Sequence, residues 1–404
     1  MNTVLLNGGV DQVYVTKNSC LLRMMIRGAP PSYMLIFFIF KWIKMKSLNS
    51  QYLSRIDHLR FIAATFVVFV HSYTAFGGKE SSNPFINFML AGDTGVTLFL
   101  VLSGFLFTII SDGGKKEISY KSFIFNRFIR IFPLLSVAWI TAMALSRGTA
   151  TFSDALSLFL FSNLQSSPLL AHFGQTWTIA VEFQFYLIFP FLALFLNRYG
   201  VRYIVYLSLF WLAWRTMIVA IYGGEPGSDS YLNNHYYYLT MLGRFDQLLI
   251  GMVFGYLYIN YKDKFANPIF IIASSAIVFF SLLALRSEGL WYIPTPYVTS
   301  LSYLEACMWG VFVLTYLSSS IKIPYIIDNA LSKLGEVSFS EYILHGVVLY
   351  SFHKTFGIPR FVENDNINAV INFLILLPAI LVFSKICFEL IEKPFLGFRK
   401  KYAK

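Results

Sequence analysis

Ten times between residues 59 and 390 the chain runs apolar for about the length that crosses a bilayer: 59–76, 94–111, 129–146, 177–196, 201–222, 237–258, 267–285, 300–318, 334–352 and 368–390. A spanning helix needs ~17–25 such residues, because each adds about 1.5 Å to a path of about 30 Å. In lipid every backbone polar group must be bonded within the protein, and runs of this length satisfy that as helices. The pattern predicts an all-α fold, a polytopic membrane helix bundle of about ten transmembrane helices with both termini cytoplasmic. Composition agrees, with 56% of residues hydrophobic, 13% charged and a mean hydropathy of +0.60. That is too little polar surface for a soluble body of this length. A shorter run, Leu156–Phe161, reads as a re-entrant or interfacial piece.

The net charge of +11 raises nucleic acid as a partner, and the distribution of the charges removes it. With the N-terminus cytoplasmic, the inside segments after residue 50 hold eighteen Lys and Arg, from Arg55 to Lys404. The outside loops hold Lys79, Arg147, Arg286, Lys354 and Arg360. This is the bias expected of cytoplasmic loops. Lys385, near an inner helix end, is expected to snorkel toward water. Cys20, Cys307 and Cys387 are far apart and lack metal-ligand spacing, so neither a disulfide framework nor a metal site is expected. Residues 1–50 read as an N-terminal extension, cytoplasmic or interfacial, or as a start-site artefact with Met45 as the natural start. Residues 51–396 form the membrane domain, and 397–404 a basic cytoplasmic tail.

Ionisable residues inside the apolar runs are expensive in lipid and face a shared interior. Counted from the predicted outer helix ends, His71, Glu182 and Glu305 lie five residues in and Arg215, Arg244 and His345 seven in, with Asp246 slightly deeper. All are then roughly 7–11 Å deep, and a polar cavity reached from the outer side is expected. On the first helix, Arg60 and His71 bracket ten uncharged residues and stand roughly 16 Å apart. A lone membrane histidine is as well explained by a structural hydrogen bond. Glu182, in Trp177-Thr-Ile-Ala-Val-Glu182, and His345, in Tyr342-Ile-Leu-His345, give His71 company at its depth. A neutral imidazole can take a proton from an attacking hydroxyl while a carboxylate orients it, or it can itself be the nucleophile. Both roles are open for His71.

Arg127 and Arg130, in Phe125-Asn-Arg127-Phe-Ile-Arg130, project from nearly one helix face. Positive-inside anchoring explains either alone; two adjacent forks with Lys115, Lys116 and Lys121 nearby also suit bidentate phosphate binding. Gly104, in Ser103-Gly104-Phe105, reads as a close helix contact, and Ser103 as a hydrogen-bonding residue. Trp177 at a helix end serves either as an interfacial anchor or as a platform for a sugar ring.

These stretches, with Gly95–Phe105, Gly243-Arg244-Phe-Asp246, Leu334–His345 and the closing Glu392-Lys393-Pro394, resemble in order the acyltransferase-three family of integral-membrane O-acyltransferases. That family acetylates O-antigens, exopolysaccharides and related glycans. Thr97 departs from the pattern, standing where relatives often carry an acidic residue; Asp93 is one turn earlier.

The resemblance implies an acyltransferase of the bacterial inner membrane that moves an acyl group, acetyl by expectation, from cytosolic acyl-CoA to a surface or lipid-linked glycan at the outer side. It implies His71, Glu182 and His345 as catalytic residues and Arg60, Arg127 and Arg130 as the donor site, with Arg60 either touching the nucleotide or anchoring its helix. Ser103, Trp177, Arg244, Asp246 and Glu305 are cavity or acceptor candidates. The expected partners are acyl-CoA as co-substrate, with no permanent cofactor and no metal, a glycan acceptor, and membrane lipid. The rival reading is a transporter or glycan flippase without covalent chemistry, against which no inverted repeat and no broken helix pair is seen.

Overall fold

The computed structural model describes residues 52–145, 151, 163, 173–222, 238–287 and 296–404. The N-terminal extension, the short run at Leu156–Phe161 and the Arg147 loop lie outside the described residues.

Each of the ten apolar runs falls on a long helix: α1 Ser54–Ala75, α2 Thr94–Ile110, α3 Tyr120–Leu145, α4 Thr176–Tyr199, α5 Val201–Tyr222, α6 Met241–Tyr261, α7 Pro268–Ser287 and α8 Pro296–Ser318. After the short α9, Tyr325–Glu336, come α10, Ser338–Phe356, and α11, Asp365–Cys387. The run read as 334–352 is therefore interrupted at Val337, where α9 gives way to α10. Helix α3 starts nine residues before its apolar run because Lys121, Arg127 and Arg130 lower hydropathy without disturbing the helix. Among the described residues regular structure is otherwise helical, with one isolated bridge between Ile118 and Ala403.

Among the described residues, seven helical spans are long and apolar enough to cross a membrane by length and composition. Helices α1, α6 and α10 are not among them. They carry Arg60 and His71, Arg244 and Asp246, and Glu341 and His345, polar residues that lower their hydropathy.

Helix α2 lies near the centre, with most of its residues buried. Its close seams are set by glycine. A Cβ on Gly104 would stand 2.0 Å from the Leu248 carbonyl oxygen, and one on Gly251 2.2 Å from that of Val101, so the α2 and α6 backbones touch. On its α1 side Gly95 fits against the Ala63 carbonyl in the same way. At the periphery α5 and α7 expose Tyr206, Phe210, Ile221, Ile269, Ile272 and Phe280, an apolar belt of the kind acyl chains cover. Helix α9 is amphipathic, with Tyr325, Ile326 and Ile327 outward.

The start of α1 is tied to distant segments. Arg55 donates to the carbonyls of Tyr316 and Ser319 at 2.6 and 2.7 Å. His58, fully buried, meets the Tyr316 hydroxyl at 2.9 Å and the Asp328 carbonyl at 3.1 Å. These ties fix α1 in rotation and depth, and with it both residues that flank its apolar stretch.

Candidate active site

One cavity brings Arg60 of the first helix together with the Arg127 and Arg130 pair of the third. Its wall includes Arg60 of α1, Ser103 of α2, Arg127 and Arg130 of α3, Glu182 of α4 and Tyr342 of α10. The three guanidinium groups are held differently. Arg60 faces Asp57 at 3.4 Å, one turn earlier. Arg130 pairs with Glu392 at 2.8 Å, and the fully buried Glu392 also accepts from the Ser340 hydroxyl. Arg127 stacks over Phe107 at 5.1 Å and over Phe123 and Tyr186 at 5.8 Å, with its Nε buried and unbonded. Stacked cation–π contacts stabilise a guanidinium without using its outward N–H groups. Those groups stay available to an anion.

Glu182 forms the other polar wall. It accepts from the Ser103 hydroxyl and lies within hydrogen-bonding reach of Tyr186, so Ser103 holds a carboxylate in place. Beyond it the cavity is closed by Tyr342, whose hydroxyl meets Thr178 Oγ1 at 3.0 Å and whose ring packs edge-on against Phe99.

Tyr342 in turn touches the second centre: its ring centroid is 6.1 Å from that of His345. His345 is fully buried, His71 is exposed, and His71 Nδ1 lies 2.8 Å from His345 Nε2. A carbonyl can only accept, and His345 Nδ1 stands 3.3 Å from the Glu341 carbonyl oxygen, so that nitrogen carries a proton. With both rings neutral, His345 Nε2 is then an acceptor, and His71 must donate from Nδ1. The lone pair of His71 Nε2 is left free on the exposed side. Asp93, which stands close enough for its charge to act on His71, is placed to stabilise the ring once it gains a proton. A ring held this way can accept a proton at Nε2 as a general base, and the same lone pair can serve as a nucleophile.

The remaining candidates are placed elsewhere. Asp246 is bound within the bundle to Arg215 at 2.8 Å, both fully buried. Glu305 accepts from Thr94, whose hydroxyl also takes the Trp309 N–H at 2.6 Å. Arg244 lies 4.1 Å from the Tyr238 ring and 5.3 Å from that of Trp177. Trp177 is buried beneath that cation rather than set at an interface. The polar groups expected to share one cavity thus divide, because each finds a partner on its neighbouring helix at its own depth. Lys385 does not snorkel either: it is buried and paired with Glu389, which a second lysine, Lys393, also meets at 2.5 Å.

Three residues near the site carry no assigned role in the sequence reading. Glu341, buried with one carboxylate oxygen toward Thr65, lies four before His345 and so on its helix face, a signal that was legible. Glu392 sat in a recognised tripeptide without an assigned partner. Arg399 lay in the tail.

The Acyl_transf_3 family model, described as an acyltransferase domain, matches residues 53–389. An uncharacterized protein of Haemophilus influenzae is 29% identical over 229 residues, covering 49% of this chain and 89% of the relative. Peptidoglycan O-acetyltransferase OatA of Listeria monocytogenes is 28% identical over 238 residues, 52% of this chain and 35% of OatA. The chain thus covers about a third of that enzyme. No solved structure matches. With a family model over most of its length and an arginine-lined cavity beside a histidine pair, the chain belongs to the Acyl_transf_3 family and is an acyltransferase.

Proposed function

We propose that the protein is a multi-pass O-acetyltransferase of the bacterial inner membrane, with about ten spans and both termini cytoplasmic. It takes an acetyl group from cytosolic acetyl-CoA and places it on a hydroxyl of a surface or lipid-linked glycan at the outer side. The observation that carries this reading is the cavity in which Arg60, Arg127 and Arg130 meet Glu182, next to the His71–His345 pair. Arginine forks suit the donor's phosphates. The rise of α1 separates Arg60 from His71 by about 16 Å, a distance for the pantetheine arm to bridge. The named O-acetyltransferase among the relatives supports acetyl, and the Lys/Arg bias supports the orientation.

The glycan hydroxyl gives its proton to His71 Nε2 as its oxygen attacks the thioester carbon. His345 and Asp93 steady the imidazolium. The tetrahedral intermediate collapses with cleavage of the C–S bond, and the coenzyme A sulfur leaves with the proton returned by His71. Glu182 and Tyr342 line the path of the arm.

Purified protein given labelled acetyl-CoA and surface glycan is expected to transfer label to the glycan. Flux of glycan across a reconstituted bilayer with no covalent change would overturn this function.

A further inference from the structure

Residues 397–404 do not trail from the bundle. The side-chain amide of Asn126 on α3 binds the Lys400 backbone twice, to its carbonyl at 2.6 Å and from its N–H at 2.9 Å. The Ser119 N–H donates to the Tyr402 carbonyl at 2.8 Å, and the Lys404 N–H to that of Glu117 at 3.1 Å. Tyr402, 1% exposed, packs edge-on against Phe123 at 5.2 Å, the ring over which Arg127 also stacks. One helix face thus holds the cavity arginines and the tail together.

This clamp fixes Arg399, immediately before Lys400. Its charged surroundings are Arg130, Arg127 and Arg60, all cations, with Tyr402 and the carboxylate of Glu392. Glu392 is already bonded to Arg130 and Ser340. With Arg60 paired to Asp57 and Arg130 to Glu392, Arg127 and Arg399 are the two guanidinium groups at this end without an ion-pair partner among the described residues, and an anion there would offset their mutual repulsion. Burial and then the neighbouring arginines pull the Arg399 pKa down to about 10, as expected for a cation facing cations.

We propose that the clamped tail supplies Arg399 as a fourth arginine of the donor site, contacting a phosphate of the nucleotide end of acyl-CoA. The inference rests on acyl-CoA being the donor. The tail is then part of the binding site: docking of 397–404 on α3 completes it.

Equilibrium dialysis of the full-length protein, in detergent without anionic lipid, against labelled acetyl-CoA tests this. Arg399→Gln is expected to raise Kd by ~10-fold, the scale of one lost hydrogen bond to a charged group. Arg399→Lys recovers part of the loss, and Lys264→Gln, at an exposed cation outside the tail and the cavity wall, leaves Kd unchanged. Acetyl-pantetheine, which has no phosphate, binds wild type and Arg399→Gln equally, which also shows that the variant is folded. Wild-type Kd for acetyl-CoA in Arg399→Gln overturns the proposal, as does equal loss of both ligands. A wild-type protein that binds neither ligand removes the acyl-CoA reading, and Arg399's role with it.

Discussion

Replacing His345 by alanine tests whether the second ring of the pair orients the first. His345 is fully buried and accepts His71 Nδ1–H at 2.8 Å while its own Nδ1–H faces the Glu341 carbonyl. In the ground state the lost bond is neutral and worth about 0.5–1.5 kcal/mol; when His71 takes the acceptor's proton the same bond becomes charge-assisted, worth about 1.5–3 kcal/mol. Only the difference, about 1–1.5 kcal/mol, falls on the barrier, and at about 1.4 kcal/mol per decade it is a loss of ~5- to 12-fold in kcat. His71→Ala removes the base itself and is expected to cost ~10²–10⁴-fold. Neither variant touches the arginines, so the KM for acyl-CoA stays near wild type in both. Initial rates of label transfer from acyl-CoA to glycan, at matched levels of folded protein, measure the split. A His345→Ala enzyme with wild-type kcat, or one whose entire defect lies in donor KM, would refute the tautomer chain.

Three further outcomes are expected. Arg127→Lys keeps the charge but loses the planar fork stacked on Phe107, so donor KM rises by ~10-fold with kcat little changed; unchanged donor kinetics would reduce Arg127 to a membrane anchor. Glu392→Gln breaks the ion pair with Arg130, whose side chain is 26% exposed, so thermal unfolding in detergent is expected to show a loss of about 1–3 kcal/mol, less than the ~3–5 of a fully buried pair; a wild-type midpoint would contradict it. Gly104→Ala sets a methyl 2.0 Å from the Leu248 carbonyl oxygen, and the parting of α2 and α6 is expected to cost about 1–3 kcal/mol or more; a variant as stable as wild type would show that the seam yields.

Periodicity and length made the helices legible, because a spanning segment must be apolar for most of its run whatever it packs against. Where α1, α6 and α10 fell short in apolarity, their polar residues were the informative part, and His71 and His345 do meet. Pairing was what the sequence could not display. Asp246 looks like a cavity residue until Arg215 appears beside it, and Lys385 looks like a snorkelling cation until Glu389 does. A buried charge signals that a partner exists and leaves its identity to the three-dimensional packing. The docking of the tail is hidden for a related reason: a short basic segment after the last helix shows no partner in its composition, whereas Asn126 and Tyr402 hold it against α3.

The ties of α1 also bear on how the chain is made. Ser54, His58, Thr65 and His71 find their side-chain partners at Asp328, Tyr316 and Ser332, Glu341 and His345, between 258 and 276 residues later. On the proposed ten-span topology, α1 waits in the membrane with its polar groups uncompensated until α8, α9 and α10 have been synthesised. Closure of the bundle is then a late, non-local event, slow for the same reason that distant contacts are slow in soluble folds. A chain that stops before α9 would hold a complete α1 with nothing to pair it, an exposed polar helix that membrane proteases could recognise as unfinished.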